Sequence, residues 1–267
     1  MARLPLADLV AYLDDYLRVR EVPDERNAVN GLQVENSGTV GSIVAAVDAS
    51  QATIARVAAE AAGPDADEPP PLLLVHHGLL WDGNVPVVGR RYRRLAALLE
   101  HDIALYAAHI PLDLHPEVGN NVVLAERLGL EVQGWFGDYR GTALGVWGRA
   151  PQRWGTRDAL LAEVDRALGT FAPGARLIPG GPERVARVGI ITGGAGSMIA
   201  AARDAGLDTY ITGEGPHHTY FDAMEWGINV IYAGHYATET LGVQALASHL
   251  AERFDLDWEF HDHPTGL

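Results

Sequence analysis

Short apolar, β-branched runs alternate along this chain with longer segments whose apolar residues recur at helical spacing. In the first half, Ser42–Val47, Leu72–Val75 and Ile103–Tyr106 read as strands. Helical segments follow at Gln51–Ala62, Tyr92–Glu100 and Asn120–Leu128. The last third repeats the alternation. Strands are predicted at Val185–Ile191, Thr209–Thr212 and Asn229–Tyr232, and helices at Ser197–Ala205, His217–Trp226 and Glu239–Arg253. Alternation of this kind predicts an α/β fold with a largely parallel sheet.

The stretch 131–184 breaks the rhythm. Gly134, Gly137, Gly141, Gly145 and Gly148 stand among aromatics, one helix is predicted at Arg157–Leu168, and Pro179-Gly180-Gly181-Pro182 makes a turn. The expected organisation is a single domain over residues 1–267. It has α/β lobes at about 1–130 and 185–267 and a β-rich insertion, 131–184, between them. The Pro-rich acidic run Gly63–Pro71 reads as a surface connection.

Charge and composition narrow the chemistry. The chain has no cysteine, so thiolate metal sites, thiol catalysis and disulfides are out, and any metal must be held by His, Asp and Glu. A formal net charge of −15 disfavours nucleic acid as a partner. The one basic run, Arg90-Arg91-Tyr92-Arg93-Arg94, falls where a helix begins and reads as a solvated face. Residues 1–17 carry helical spacing with Asp8, Asp14 and Asp15 between the apolar positions, unlike a signal peptide. No apolar run approaches the ~18 residues of a membrane span. A soluble cytoplasmic protein without a membrane partner is expected.

Two segments then stand out. Tyr106-Ala107-Ala108-His109-Ile110-Pro111-Leu112-Asp113 and Tyr232-Ala233-Gly234-His235-Tyr236-Ala237-Thr238-Glu239 share the pattern Y-A-small-H-x-x-x-acid. Each follows the third strand of its lobe. The readings are an internal duplication, convergence of two halves on one site, or chance over eight residues. In open α/β sheets ligands bind beyond the carboxyl ends of the strands. His76, His77, His109, Asp113, His235 and Glu239 all fall at or just after predicted strand ends. Imidazole and carboxylate suit Zn, Fe, Mn, Co or Ni. Six such groups exceed the needs of one tetrahedral ion, whereas two divalent ions about 3.5–4 Å apart would use them all.

Blander readings apply to each group. A histidine at a strand end is often a hydrogen-bonded structural residue. Neighbouring strand residues point to opposite faces, so His76 and His77 converge only if the pair lies past the strand, where Gly78 permits a turn. His217-His218, beside Glu214, read either as support for the ligands or as a helix terminus. His261-Asp262-His263 reads as a solvated tail. Thr192-Gly193-Gly194-Ala195-Gly196-Ser197 reads as a tight strand-to-helix turn, with an anion cradle as the alternative; it lacks the end of a P-loop.

HHGLLWDG (76–83), AHIPLDLHPEVGNNVVLAERLGL (108–130), TGEGPHH (212–218) and GHYATE (234–239), with Asn30-Gly31-Leu32-Gln33-Val34 near the start, together resemble the GTP cyclohydrolase 1 type 2 homologs. These are also called the Nif-three-like, or dinuclear metal centre, family. The resemblance runs in order from about residue 5 to 255. It implies His76, His77, Asp113, His235 and Glu239 as ligands of two metal ions. It also implies two interlinked α/β lobes and a ring-shaped homohexamer. Gly78 and Trp81-Asp82-Gly83 match the bacterial branch; another branch has Pro after the His pair. The family name implies opening of the guanine ring of GTP by water attack at C8, with Glu214 or His109 moving protons. A small-molecule substrate, a nucleotide in the first instance, is expected. The alternatives are hydrolysis of another nucleotide, amide or phosphoester, and a non-catalytic ring that binds metal or partners.

Overall fold

The computed structural model describes residues 4–62, 69–171 and 174–267. In chain order, β1 (Leu4–Pro5) leads into α1 (Leu6–Tyr16), β2 (Gly31–Val34), β3 (Thr39–Val40), β4 (Ser42–Asp48) and α2 (Gln51–Ala61). Then come β5 (Pro71–His77), α3 (Gly89–Glu100), β6 (Ala104–Ala107) and the single turn α4 (Ile110–Asp113). The middle of the chain forms α5 (Asn120–Leu128), β7 (Glu131–Tyr139), β8 (Thr142–Arg149), α6 (Arg157–Leu168) and β9 (Arg176–Pro179). The rest forms β10 (Arg187–Ile190), α7 (Ile199–Asp204), β11 (Thr209–Thr212), α8 (Thr219–Trp226), β12 (Asn229–Tyr232), α9 (His235–Phe254) and β13 (Asp257–Phe260). Of the acidic run Gly63–Pro71, residues 63–68 lie outside the described residues, and Pro71 opens β5.

The chain forms two compact units. The first holds the described residues up to Leu112 together with Val243–His263; the second holds Asp113–Gly242 and Pro264–Leu267. The first unit is built on a five-stranded sheet of order β13-β4-β5-β6-β2. Its first three pairings are parallel and β2 closes the edge antiparallel. Leu72–His76 are buried without a break, as expected of a parallel strand covered on both faces. Val44, Ile54, Val57, Leu73, Val75 and Leu105 form one side of that core. Ser50 caps α2 by accepting the Thr53 N–H at 3.1 Å.

The second unit carries a six-stranded sheet, β7-β8-β10-β11-β12-β9. Only β10–β11 and β11–β12 are parallel, so the expectation of a largely parallel sheet holds for the first unit and gives way to a mixed sheet in the second. The glycine-rich stretch makes the β7–β8 hairpin, which joins the sheet edge through β8–β10, and β9 joins at β12. Alternate residues of β11 enter opposite cores, Ile211 with Leu124, Val188 and Ile231, and Tyr210 with Phe136, Ile191 and Val230. No helix among the described residues is long and apolar enough to cross a membrane.

Three expectations fail locally. β2 and β13 go unread because four-residue edge strands with mixed polarity leave no clear period. The last helix starts at His235, not at Glu239. The tail is not solvated throughout: the amide of His261 donates to the Ala45 carbonyl at 2.8 Å, extending the β13–β4 ladder, and its side chain is fully buried.

Candidate metal centre

In the first unit β5 ends with His76 and His77 inside the strand, the latter in register with Asp48. The sequence places the pair beyond the strand; instead the imidazoles converge from within it. The β6 pairing stops at Val75, so the last two residues of β5 extend past their neighbour. Their ring centroids are 4.7 Å apart, and the His109 ring lies 5.0 Å from His76 and 5.6 Å from His77. One nitrogen from each of the three histidines lies within 4.8 Å of the others.

Each ring is held through Nδ1. His76 donates to the Ala108 carbonyl at 2.8 Å, His77 to Asp48 Oδ1 at 2.9 Å, and His109 to Asp24 Oδ1 at 2.8 Å. A hydrogen placed on Nδ1 leaves Nε2 as the lone-pair nitrogen, the tautomer a metal takes. Asp24 is anchored in turn by Asn30 Nδ2 at 2.7 Å and the Ile110 amide at 3.0 Å. Burial pushes its carboxyl pKa up, but the hydrogen bond and charge of His109, with bonds from Asn30 and the Glu25 amide, outweigh this and hold it below the ordinary 3.8. Asn30 also accepts the His109 amide at 2.7 Å. Gln33 accepts the Leu79 amide at 2.7 Å and donates to the Val29 carbonyl at 2.8 Å. A Cβ on Gly78 would overlap the Gln33 amide. The N-terminal signature thus supports the histidine cluster from behind, and Trp81 meets the His109 ring edge-on at 5.0 Å.

In the second unit His235 and Glu239 lie one turn apart on α9, so both side chains fall on one helix face. His235 Nε2 lies 3.1 Å from the buried Glu239 Oε2, and Nδ1 lies 2.7 Å from Glu214 Oε1. Burial opposes charge on this imidazole, yet the hydrogen bonds and charges of Glu239 and then Glu214 outweigh it and push its pKa up to about 9. Asp113 is buried; its Oδ1 accepts from Asn120 Nδ2 at 2.8 Å and Thr192 Oγ1 at 3.4 Å. Asn120 Oδ1 takes the Gly242 amide at 2.6 Å, and Asn121 Oδ1 takes that of Thr192 at 2.8 Å.

The glycine loop after β10 forms the tight strand-to-helix turn ahead of α7. Two of its amides are used internally: Gly193 donates to Thr238 Oγ1 at 3.0 Å and Gly196 to the Glu214 carbonyl at 2.9 Å. Gly193, at φ +70°, is there because a Cβ would run into the Glu239 carboxylate. His217 and His218 are exposed residues ahead of α8, and the His217 ring packs on Phe221 at 5.8 Å. The basic run forms the start of α3. Arg90 pairs with Asp82 at 2.6 Å, and Arg91 and Arg94 donate to the carbonyls of Gly83 and Ala49.

Sequence reasoning did not single out Asp24, Asp48, Asn120 or Asn121. Asn30, Gln33, Asn120 and Asn121 lie inside the quoted motifs, which was the available signal. For Asp24 and Asp48 no local pattern marked them. The donor chemistry, imidazoles and carboxylates without sulfur, fits divalent metal ions.

A family model described as Duf34/NIF3 (NGG1p interacting factor 3) matches residues 4–265. A GTP cyclohydrolase 1 type 2 homolog of Deinococcus radiodurans is 42% identical over 261 residues, covering 97% of this chain and 94% of that protein. The crystal structure of TTHA1606 from Thermus thermophilus has a TM-score of 0.80 at 40% identity, covering 99% of this chain and 100% of the other. The structure of protein ybgI, of unknown function, has a TM-score of 0.85 at 37% identity, with 99% and 100% covered.

Proposed function

The chain belongs to the Duf34/NIF3 family, and on that premise we propose that it is a metal-dependent hydrolase with two divalent ions per chain. Its ligands in this reading are His76, His77, Asp113, His235 and Glu239. The observation that carries it is the locking of Nδ1 on His76 and His77, which leaves Nε2 of each as the nitrogen open to a metal, in a cluster that His109, locked in the same way, completes. Structural histidines need a single partner each and have no reason to share this tautomer in one cluster. The buried Glu239 beside His235 supports a matching donor pair in the second unit.

When bound, a divalent ion lowers the pKa of water toward ~7 and so supplies a nucleophile at neutral pH. The residues around it do the rest. Asp24 keeps His109 oriented and in reach of a proton, Glu214 holds His235, and the two residues so placed, His109 and Glu214, are assigned to proton transfer. The name shared by the relatives supports a purine nucleotide as the first substrate class, with water attacking C8 of the guanine ring. A homohexamer in the cytoplasm completes the reading; light scattering should give about six times the 28.7 kDa chain mass, and a monomer at micromolar concentration would remove it.

The test is Glu239→Gln, which keeps shape and removes charge. Elemental analysis after full loading should give at least two equivalents for the parent chain and at least one fewer for the variant, with hydrolysis of a nucleotide and cyclic-amide panel lost. A variant retaining both ions at parental affinity makes Glu239 a helix residue and not a ligand. Full loading with no turnover of any panel member points to a metal-binding protein without catalysis.

A further inference from the structure

The buried end of the C-terminal tail holds donors that share no residue with the proposed centre. Glu259 and His261 are two apart along β13 and its continuation, and strand alternation puts them on one face. Glu60, in the last turn of α2, meets them. His261 Nε2 lies 3.0 Å from Glu60 Oε2 and 3.3 Å from Glu259 Oε1. These three donors group within 4.8 Å of one another. Arg56 Nε donates to the other oxygen of Glu60 at 3.0 Å and so aims Oε2 inward.

Salt bridging alone is a poor account of this arrangement. His261 is fully buried, and neither ring nitrogen makes a hydrogen bond among the described residues. The close approach to two carboxylates therefore lacks the alignment an imidazolium N–H needs. Tetrahedral bonds of about 2.0–2.1 Å, by contrast, set neighbouring donors about 3.3 Å apart, close to both separations seen. A buried imidazole with two half-exposed carboxylates at that spacing matches three protein ligands with water in a fourth position.

We propose that His261, Glu60 and Glu259 form a second, independent site for a divalent transition-metal cation, with Zn²⁺ as the suited ion. The site ties the tail to α2: Glu259 comes from the last strand, His261 from the residue that follows it, and Glu60 from a helix far earlier in the chain. Bound metal would therefore stabilise the closing of the first sheet by β13.

The test counts Zn²⁺ bound to the chelator-stripped full chain by calorimetric titration and elemental analysis. Glu60→Gln with Glu259→Gln removes two charges at half-exposed positions and preserves volume. This double variant should bind one equivalent fewer than the parent. The same decrement should appear in the Glu239→Gln background, where the proposed centre is already damaged. His261→Ala, checked by circular dichroism, should repeat the loss. Equal Zn²⁺ stoichiometry in parent and double variant, in either background, overturns the site whatever the fate of the other centre.

Discussion

The two Y-A-small-H segments leave their strands in the same way but arm them differently. The Ala108 amide donates to the Val75 carbonyl at 2.9 Å, and the Gly234 amide, at the matching place, donates to that of Gly213 at 3.0 Å. The residue after each acceptor is then His76 in one unit and Glu214 in the other. In the first unit a histidine thus stands beside a histidine, and Asp24 from an earlier loop must orient His109. In the second, Glu214 itself orients His235, and Glu239 takes the opposite nitrogen. One backbone frame has produced a cluster of three imidazoles and an imidazole clasped by two carboxylates.

The sharpest way to break this comparison is to remove one donor from each half. His77→Ala should cost at least one metal equivalent, as Glu239→Gln does. Both should lose the stabilisation bound metal provides, about 2.7 kcal/mol when free metal is 100 times Kd, read by denaturant unfolding with and without metal. If His77→Ala keeps every ion, the histidine cluster is structural and the two halves are alike in backbone only.

Gly193→Ala tests how tightly the second half is built. The added Cβ meets the Glu239 carboxylate at a positive φ, so a stability loss of about 1–3 kcal/mol is expected, together with weaker metal binding. Gly206→Ala is the control: its φ is also positive but nothing lies within 4 Å, so it should strain the backbone and leave metal affinity alone. Equal metal affinity in both variants would show that Gly193 does not position Glu239.

Smaller effects separate the two orienting carboxylates. Asp24→Asn and Glu214→Gln should each lower metal affinity about 10–100-fold without reducing the number of ions at saturation. Loss of an ion at saturation would instead make that carboxylate a ligand.

The smallest effect is on pH. In the metal-free protein the His235 pKa of about 9 stands above the ordinary 6.5. Its ion pairs therefore stabilise the fold fully below about pH 6.5, and that contribution is lost as pH rises through 9. Unfolding of stripped protein between pH 7 and 10 should show this loss in the parent chain and not in His235→Ala. Identical pH profiles would mean that His235 carries no proton in the metal-free fold.

What could be read from the chain alone is local in origin. Apolar periodicity located Thr209–Thr212, Asn229–Tyr232, Asn120–Leu128 and Arg157–Leu168 at their observed bounds, because burial on a repeating face is written into consecutive residues. The donor types and their place near strand ends were equally plain, since chemistry is carried by residue identity. Tertiary structure alone decided the rest. Nothing near Asp24 or Asp48 in sequence says that they will hold His109 and His77, 85 and 29 residues away. Nothing around Gly193 announces the carboxylate that excludes a side chain there. The start of α9 at His235 put His235 and Glu239 one turn apart on one helix face, where the chain before Glu239 looked like a loop. The buried His261 depends on β13, whose four residues gain strand form only by pairing with β4. Contacts between distant segments leave no periodic trace, because the partner that satisfies a polar group is selected by the folded sheet and not by its chain neighbours.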